Sequence, residues 1–293
     1  MARKQPKQII QMTVAQFEAA FPDEEACDAY LVARRWPNGV ICPRCGSDRP
    51  YPLKTMKFKW ECPDCSEGGY RFSNIAGTIF ENTNVDLRVW YCVIHLLLTS
   101  NKSMSARQIH RYFGFGSYKT AWYMCHRIRT ALVDKDFDKL GGVVEVDQTY
   151  VGGKAANKHK DKRDGGAGGI GSGKSTVIGA ISRKSKVVLR STDTRTLDRL
   201  VHEAVWNKVS LLCTDEHSGY RLLNRDLPHR IIRKSVGDYV VGAVQTNTIE
   251  GFWSILKRGV VGIYHKVSRK YLLLHVAEFQ FRHNDIFGSA MAC

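Results

Sequence analysis

The sequence predicts an α/β core preceded by a small cysteine-rich module and a helical segment. From residue 141 onward, runs rich in β-branched residues alternate with amphipathic helical patterns, which is typical of an α/β domain. Between residues 85 and 133 apolar residues recur at helical spacing, and two Cys-x-x-Cys pairs stand upstream. A chain of 293 residues with 43% hydrophobic content has room for one large domain or two to three smaller ones.

The N-terminal region, residues 1–36, is predicted to be a helical lead-in. Residues 13–35 have helical spacing in two pieces separated by Pro22. No apolar run reaches the about 18 residues of a membrane span, and the basic N-terminus lacks the hydrophobic stretch of a signal peptide. We therefore expect a cytoplasmic, nucleoid-associated protein without a membrane partner.

Four cysteines in two pairs predict a zinc ribbon over residues 37–75. Cys42 and Cys45 form one Cys-x-x-Cys turn, and Cys62 and Cys65 form the next. A hairpin between the turns can bring four thiolates to one Zn²⁺ ion, and four thiolates leave no open position for catalysis, so the zinc is structural. The odd total of nine cysteines suits a reducing compartment with a metal site better than a set of disulfides.

Residues 85–135 are predicted to be a helical DNA-binding segment. Two helical patterns are separated by a Gly-containing turn, as in a helix-turn-helix. An ordinary helical hairpin has the same spacing, and that alternative stays open. The net charge of +16 favours the DNA-binding interpretation. The basic residues of the second helix are Lys119, His126, Arg127 and Arg129.

The stretch GGAGGIGSGKSTVIGA, residues 165–180, matches the spacing of a nucleotide-binding P-loop. A working P-loop follows a hydrophobic strand and leads into a helix, because the helix N-terminus helps to hold the phosphates. Here the approach is charged and the exit is β-branched and alternating. We interpret the stretch as a basic loop joining two strands, with Lys158, Lys160 and Lys174 as candidates for contacts with a nucleic-acid backbone.

Three acidic residues have positions suited to a metal site. Asp147 ends the run VVEVD, Asp215 ends LLCTD, and Glu250 lies in the first turns of the predicted helix TNTIEGFWSILKRG. Two acids at neighbouring strand ends and a third on a helix packed against that sheet can converge on a pair of Mg²⁺ ions. Glu250 and Lys257 share one face of the helix, so an acid and a phosphate-holding cation would lie side by side.

This assignment has alternatives. An acid at a strand end is commonly a turn former or a helix cap, and Asp215 taken alone fits that description. The nearby acids Glu145 and Glu216 compete for the same role, and Asn247 offers a further oxygen ligand.

The order of these motifs resembles that of bacterial insertion-sequence DDE transposases of the ISXO2-like group. The resemblance is carried by the two Cys-x-x-Cys pairs, the helix-turn-helix pattern, VEVDQTYVGGK, CTDEHSGYRLL and QTNTIEGFWSILKRGVVGIYHKVSRKYLLLHVAEFQFRHN. It implies an RNase H-like mixed sheet flanked by helices over residues 141–293. It also implies that Asp147, Asp215 and Glu250 bind catalytic Mg²⁺ and that Lys257 is poised over DNA phosphates.

The chain departs from the family pattern at a few positions, none of which is a proposed ligand. It has Gln148 where the family usually has Glu, and Gln245 where the family usually has His. It has Arg233 and Lys234 where the family tends to have Asn and His.

The resemblance implies a transposase that binds the ends of an insertion sequence and catalyses Mg²⁺-dependent strand cleavage and strand transfer. Its partners would be double-stranded DNA, at the element ends and the target, and further copies of the same chain in a homo-oligomer. The alternative is a zinc-ribbon DNA-binding regulator with an inactive RNase H-like domain. The expected DNA contacts are Lys119, Arg127, Lys158, Lys160, Lys174, Lys257 and Arg258.

Overall fold

The structure is a computed structural model divided into two compact units. The first is formed within Met1–Ser100 and Ala106–Ile128, and the second within Asn101–Ser105 and Arg129–Cys293. None of the helices in the part of the chain that the structure describes is both long and apolar enough to span a membrane. The described residues are 8–65, 68–133, 138–152, 174–183, 185–192, 197–217, 219–220, 223, 226–237 and 240–290.

The first unit begins with two helices, α1 (Val14–Ala20) and α2 (Glu24–Arg35). Side-chain oxygens of Thr13 and Asp23 accept hydrogen bonds from backbone N–H groups in the first turns of α1 and α2, respectively. The predicted break at Pro22 is confirmed, because this residue lies between the two helices.

A three-stranded antiparallel sheet follows, in the order β1 (Tyr51–Pro52), β2 (Lys59–Cys62) and β3 (Tyr70–Ser73). The hairpin expected between the two cysteine pairs is formed by β1 and β2, and the residues that connect these strands form turns. Trp60 and Phe72 stack with their ring centroids 6.1 Å apart and form the core of this small module.

The predicted helical segment contains three helices, α3 (Leu87–Thr99), α4 (Ala106–Phe113) and α5 (Tyr118–Ala131). Gly114 follows α4 with a φ of 61°. This left-handed conformation is accessible to glycine at low cost and ends the helix. The turn between α4 and α5 is therefore encoded by a glycine in the position that helix termination requires.

The second unit is built on a mixed five-stranded sheet in the order β6-β5-β4-β7-β8. Strand β5 is antiparallel to both β4 and β6, whereas β7 runs parallel to β4 and β8 runs parallel to β7. The strands are β4 (Val143–Val151), β5 (Ser175–Ser182), β6 (Val187–Thr192), β7 (Leu211–Asp215) and β8 (His229–Ile232).

Helices cover both faces of this sheet. Helix α6 (Leu197–Ala204) packs with Val144 and Val146 on one face, and α7 (Asn247–Gly259) and α8 (Leu272–Ala290) cover the other. The predicted RNase H-like mixed sheet flanked by helices is thereby confirmed. Before α7 the chain forms a small hairpin of β9 (Val240–Val241) and β10 (Val244–Gln245), which the sequence did not indicate.

Amide side chains of α8 bond to the outer edge of β6. Gln280 Oε1 accepts a hydrogen bond from Leu189 N at 2.8 Å. Asn284 accepts from Val187 N at 2.8 Å and donates to Val187 O at 3.0 Å. Three backbone groups of this edge strand are thereby satisfied by side chains of the same chain.

The P-loop-like stretch does not lead into a helix. Residues 165–173 lie outside the described residues, but Ser175 begins β5, which continues as a strand to Ser182. A strand at this exit has no helix N-terminus for phosphates, so the structure supports the interpretation drawn from the flanking sequence.

Candidate active site

Two of the three candidate acids lie at equivalent positions on neighbouring strands. Val146 of β4 is paired with Thr214 of the parallel strand β7, so Asp147 and Asp215 follow one residue later on each strand. Adjacent strands are about 4.8 Å apart, and equivalent residues point to the same face of a sheet. This is the face covered by α7, because Trp253 of α7 contacts Asp147.

Helix α7 is held over this face by Glu145, which the sequence left as an alternative metal ligand. The Glu145 side chain is fully buried and forms an ion pair with Arg183 at 2.7 Å. It accepts hydrogen bonds from the backbone N–H groups of Thr248 and Ile249 at 2.8 and 3.1 Å. A carboxylate in this position satisfies free N–H groups and interacts favourably with the helix dipole. Glu145 therefore anchors the start of α7.

Trp253 links α7 to Asp147. Its Nε1 donates a hydrogen bond to Asp147 Oδ2 at 3.1 Å. The indole lies against Gly179 of β5, where an added Cβ atom would be 2.7 Å from the ring. Gly179 is the residue paired with Asp147 across the ladder. Because glycine has no side chain, the indole of Trp253 can lie close enough to hydrogen-bond the Asp147 carboxylate.

The pKa of Asp147 is raised to about 6. Burial is the largest cause and raises the pKa. The negative charges of Asp215 and Glu250 also raise it. The N–H of Gln148 and the positive charge of Lys234 lower it. Asp147 therefore lies within the electrostatic field of both Asp215 and Glu250.

A lysine that sequence reasoning did not select lies among these acids. Lys234 Nζ forms an ion pair with Glu250 Oε1. Burial lowers the pKa of Lys234, but the hydrogen bond to Glu250 and the charges of Glu250, Asp147 and Asp215 outweigh burial, so the pKa is raised. Burial likewise raises the pKa of Glu250, but the hydrogen bonds from Lys234 and Thr246 lower it below its ordinary value.

Glu216, the other alternative acid, holds the segment that carries this lysine. Residues Lys234–Val236 form a single turn of 3₁₀ helix, which we call the lysine turn. Glu216 accepts hydrogen bonds from Ser235 N at 3.1 Å and from Ser235 Oγ at 2.6 Å. Both oxygens of Glu216 are engaged by the lysine turn.

The donor set at this site fits Mg²⁺. Three carboxylates supply the oxygen ligands that this ion prefers. The hydroxyl oxygen of Tyr220 is buried and has no hydrogen-bond partner among the described residues. Burial first, and then the charges of Asp147 and Asp215, raise the pKa of Tyr220, so its side chain lies within their field. An ion with retained water would bring a partner for such a hydroxyl group.

The spacing of the carboxylates differs from that of a compact single-ion site. Within the described part of the chain, only the four cysteines bring three or more ligand atoms within 4.8 Å of one another. Asp147, Asp215 and Glu250 therefore do not all bring a ligand oxygen within that distance of one another. The remaining alternative, Asn247, donates its amide N–H to Gln245 Oε1 at 3.0 Å.

The four cysteines form the predicted zinc site. The Sγ atoms of Cys42 and Cys65 are 3.5 Å apart, and those of Cys45 and Cys62 are 3.6 Å apart. A tetrahedral ion with Zn–S bonds of about 2.3 Å separates its sulfur ligands by about 3.8 Å, so the tetrad fits Zn²⁺. Burial raises the pKa of Cys42, but backbone N–H groups and neighbouring thiols lower it to about 7. The pKa values of Cys62 and Cys65 are raised, chiefly by burial, so of these three thiols Cys42 ionises most readily.

The two predicted DNA contacts on α5 are solvent-accessible, whereas another basic residue of this helix is not. Lys119 is exposed, and the Arg127 guanidinium lies 5.4 Å from the centre of the half-exposed Tyr123 ring. Arg129, which the sequence placed beside them, is buried and forms an ion pair with Glu278 at 2.6 Å. Its charge is used inside the second unit, so it is not available to DNA.

The other predicted DNA contacts are spread over the second unit. Lys257 and Arg258 are exposed near the end of α7, and Lys257 lies two turns from Glu250. Lys174 immediately precedes β5. Lys158 and Lys160 lie outside the described residues.

Two family models match separate parts of the chain. Residues 139–284 match the ISXO2-like transposase domain, and residues 22–67 match the transposase zinc-ribbon domain. The chain belongs to the ISXO2-like transposase family. The resemblance noted in the sequence is thereby confirmed. The cofactors of this transposase are Zn²⁺ at the cysteine tetrad and Mg²⁺ as the catalytic metal of the DDE domain.

A curated relative supports the same family. The transposase is 28% identical over 276 residues to an uncharacterized protein in transposable element ISH50 of Halobacterium salinarum, and the match covers 89% of this chain and 91% of that protein. A solved structure of a simian T-cell lymphotropic virus intasome with PP2A regulatory subunit B56 gamma is 13% identical over 60% of this chain and 65% of that chain. Its TM-score of 0.25 is too low to establish a shared fold.

Sequence reasoning missed several contacts around the acids. Trp253 was not among the candidate site residues, and Glu145 and Glu216 were treated as competing ligands rather than as anchors. The only signal for Lys234 was its departure from the family pattern. Each of these contacts joins residues distant in sequence, so the local spacing of apolar residues does not predict it.

Proposed function

We propose that this transposase cleaves and joins DNA strands with Asp147, Asp215 and Glu250 as its metal-binding acids. The observation that carries the proposal is the position of these carboxylates on one face of the sheet, at the start of α7. The positions of Asp147 and Asp215 result from the parallel register of β4 and β7. The position of Glu250 results from the anchoring of α7 by Glu145.

The side chains of the site have separate tasks in this proposal. Mg²⁺ bound by the three acids would activate an attacking hydroxyl and stabilise the leaving oxygen of a phosphodiester. Trp253 orients Asp147 through its hydrogen bond to Oδ2. With a pKa of about 6, Asp147 is mostly ionised at neutral pH and able to hold a cation. Lys257, on the same exposed side of α7 as Glu250, is placed to hold a DNA phosphate.

DNA binding is assigned to the zinc ribbon and to the helical segment 85–135. Residues 87–133 contain no Asp or Glu, so basic groups in this segment are not neutralised by acids within it. Lys119 and the Arg127–Tyr123 pair give α5 a cationic and aromatic surface suited to phosphates and base edges. Joining two element ends would require further copies of the chain, so we also propose a homo-oligomer on DNA.

The test is strand cleavage of duplex DNA carrying the inverted repeats that flank the coding region, with full-length zinc-loaded protein and Mg²⁺. Asp147→Asn, Asp215→Asn and Glu250→Gln should each reduce cleavage by about 100-fold or more, because each removes a metal ligand. DNA binding should remain nearly intact. Asp138→Asn, at an exposed acid paired with Lys186, is the matched control and should cleave normally.

Retained cleavage in any of the three ligand variants would refute the assignment of that residue. A wild-type protein that binds the ends but cleaves neither with Mg²⁺ nor with Mn²⁺ would support the alternative, a DNA-binding regulator with an inactive core.

A further inference from the structure

We propose that Lys234 occupies the carboxylate site when no divalent cation is bound, and that a divalent cation displaces its ammonium group on binding. The inference rests on the proposed function, because it takes Asp147, Asp215 and Glu250 as the metal ligands. It makes Lys234 a positioning residue that sets the metal affinity of the site.

The first observation is that Lys234 uses an oxygen atom that the metal needs. Lys234 Nζ contacts Glu250 Oε1 directly, and Thr246 Oγ1 donates a hydrogen bond to the same oxygen at 2.9 Å. A carboxylate oxygen offers about two lone-pair sites, so both sites of Oε1 are taken. A cation that binds this oxygen must replace one donor, and charge repulsion makes the ammonium the donor that leaves.

The second observation is that the lysine turn is tied to the acid site. Ser235 donates two hydrogen bonds to Glu216, and Glu216 directly follows Asp215 at the end of β7. The backbone of Lys234 is thereby held beside a proposed metal ligand. The Lys234 side chain is 31% exposed, so its ammonium group can leave toward solvent without disturbing a core.

The third observation is the charge balance. Three neighbouring carboxylates repel one another, and one ammonium group offsets part of that repulsion. Among the described residues, Lys234 is the only basic side chain in an ion pair with any of the three acids. A divalent cation offsets more negative charge than an ammonium group, so the two compete for the same place.

The test measures the Mn²⁺ affinity of full-length, zinc-loaded protein without DNA, by titration calorimetry or electron paramagnetic resonance. Lys234→Gln removes the charge and keeps a polar side chain that is one atom shorter, and should bind Mn²⁺ about tenfold more tightly or better. Lys234→Arg keeps the charge and should bind Mn²⁺ as weakly as the wild type. Lys186→Gln removes an equivalent charge at an exposed pair with Asp138 and is the matched control, with unchanged affinity.

Two further variants separate the steps of the inference. Ser235→Ala loosens the lysine turn without changing any charge, and should tighten Mn²⁺ binding by less than Lys234→Gln does; unchanged affinity would overturn the anchoring role. Circular dichroism and zinc content check that each variant is folded.

Asp147→Asn removes a proposed ligand and should weaken Mn²⁺ binding by about tenfold or more. If it binds Mn²⁺ as the wild type does, the acids are not the metal site and the proposed function fails together with this inference. If Asp147→Asn weakens binding but Lys234→Gln does not tighten it, only the role of Lys234 is overturned.

Discussion

Asp147 is subject to opposing influences from its surroundings. Its carboxylate is partly buried against α7 and close to the like charges of Asp215 and Glu250, and all three effects disfavour ionisation. The N–H of Gln148 and the charge of Lys234 favour ionisation, but burial outweighs them and the pKa is raised. The folded chain therefore holds this carboxyl group in its charged form at a cost in stability.

The raised pKa of Asp147 predicts that the free energy of unfolding depends on pH. The carboxyl group of Asp147 has a pKa of about 6 in the folded chain against an ordinary value of 3.8. The contribution of this carboxyl group to stability is fully present below its ordinary pKa and is lost as the pH rises through its pKa in the folded chain. The free energy of unfolding of the wild type, relative to Asp147→Asn, should fall by about 3 kcal/mol between about pH 4 and pH 7.

Urea unfolding of both proteins without Mg²⁺ measures this difference, and the comparison cancels the contribution of the zinc site. A difference that stays constant over this pH range contradicts the raised pKa.

Gly179 is the second residue with a sharp prediction. Gly179→Ala places a Cβ atom within 2.7 Å of the Trp253 ring, so the indole must move away from Asp147. We expect a loss of about 1–3 kcal/mol in the free energy of unfolding from overpacking, together with reduced DNA cleavage.

The matched control is Gly251→Ala on the exposed side of α7, where no atom lies within 4 Å of the added Cβ. Alanine is a better helix former, so this variant should be more stable than the wild type by about 0.5–1 kcal/mol. Equal unfolding free energies of the two variants would show that the contact at Gly179 is not tight.

At the scale of elements, α5 has basic residues in two different environments. Lys119 and Arg127 lie on its outer side, whereas Arg129 is buried near its end and bonds to Glu278 and to the Tyr264 hydroxyl group. An arginine on this helix is thus solvent-accessible or buried depending on which side of the helix it occupies.

This difference predicts opposite phenotypes. Combined Lys119→Gln and Arg127→Gln should weaken DNA binding and reduce the slope of log affinity against log salt by about one for each phosphate that is no longer bound. The free energy of unfolding should fall by no more than about 1 kcal/mol, because Arg127 donates a single hydrogen bond to Glu81 O. Arg129→Gln should instead lower the free energy of unfolding by about 3 kcal/mol, because Glu278 loses a buried partner. Salt-dependent binding and urea unfolding measure the two effects, and DNA binding unaffected by the double variant would exclude this face of α5.

The elements themselves were accessible from sequence to different degrees. The helices and the longer strands were predicted because their apolar residues repeat at a regular spacing, and Asp147 and Asp215 were noticed because each ends such a run. The hairpin of β9 and β10 has two residues in each strand, too few for any periodicity. The burial of Arg129 depends on Glu278, 149 residues away. The Glu216–Ser235 contact that places Lys234 is likewise tertiary. The metal-binding role of the acids stays a prediction.

At the scale of the whole molecule, each unit has its own source of stability. The zinc ribbon has a small core around Trp60 and Phe72, close to the cysteine tetrad. The second unit has apolar clusters on both faces of its five-stranded sheet. A core as small as that of the ribbon depends on its metal, whereas a two-sided sheet does not.

Removal of zinc should therefore act on one unit. Cys62→Ser, or a strong chelator, should abolish the hydrogen-exchange protection of β2 and β3 and weaken DNA binding, because the tetrad no longer closes around an ion. Protection of β4 and β7 should persist. Hydrogen exchange followed by mass spectrometry distinguishes the two regions. Equal loss of protection in both would contradict the separate stability of the sheet.

The amide side chains of Gln280 and Asn284 have a consequence for how several copies can assemble. They take up outward-facing backbone positions of Val187 and Leu189, so a strand from a neighbouring molecule finds these positions already occupied. Growth of the sheet into an open-ended stack of subunits is blocked on that side, so the proposed homo-oligomer would form through other surfaces.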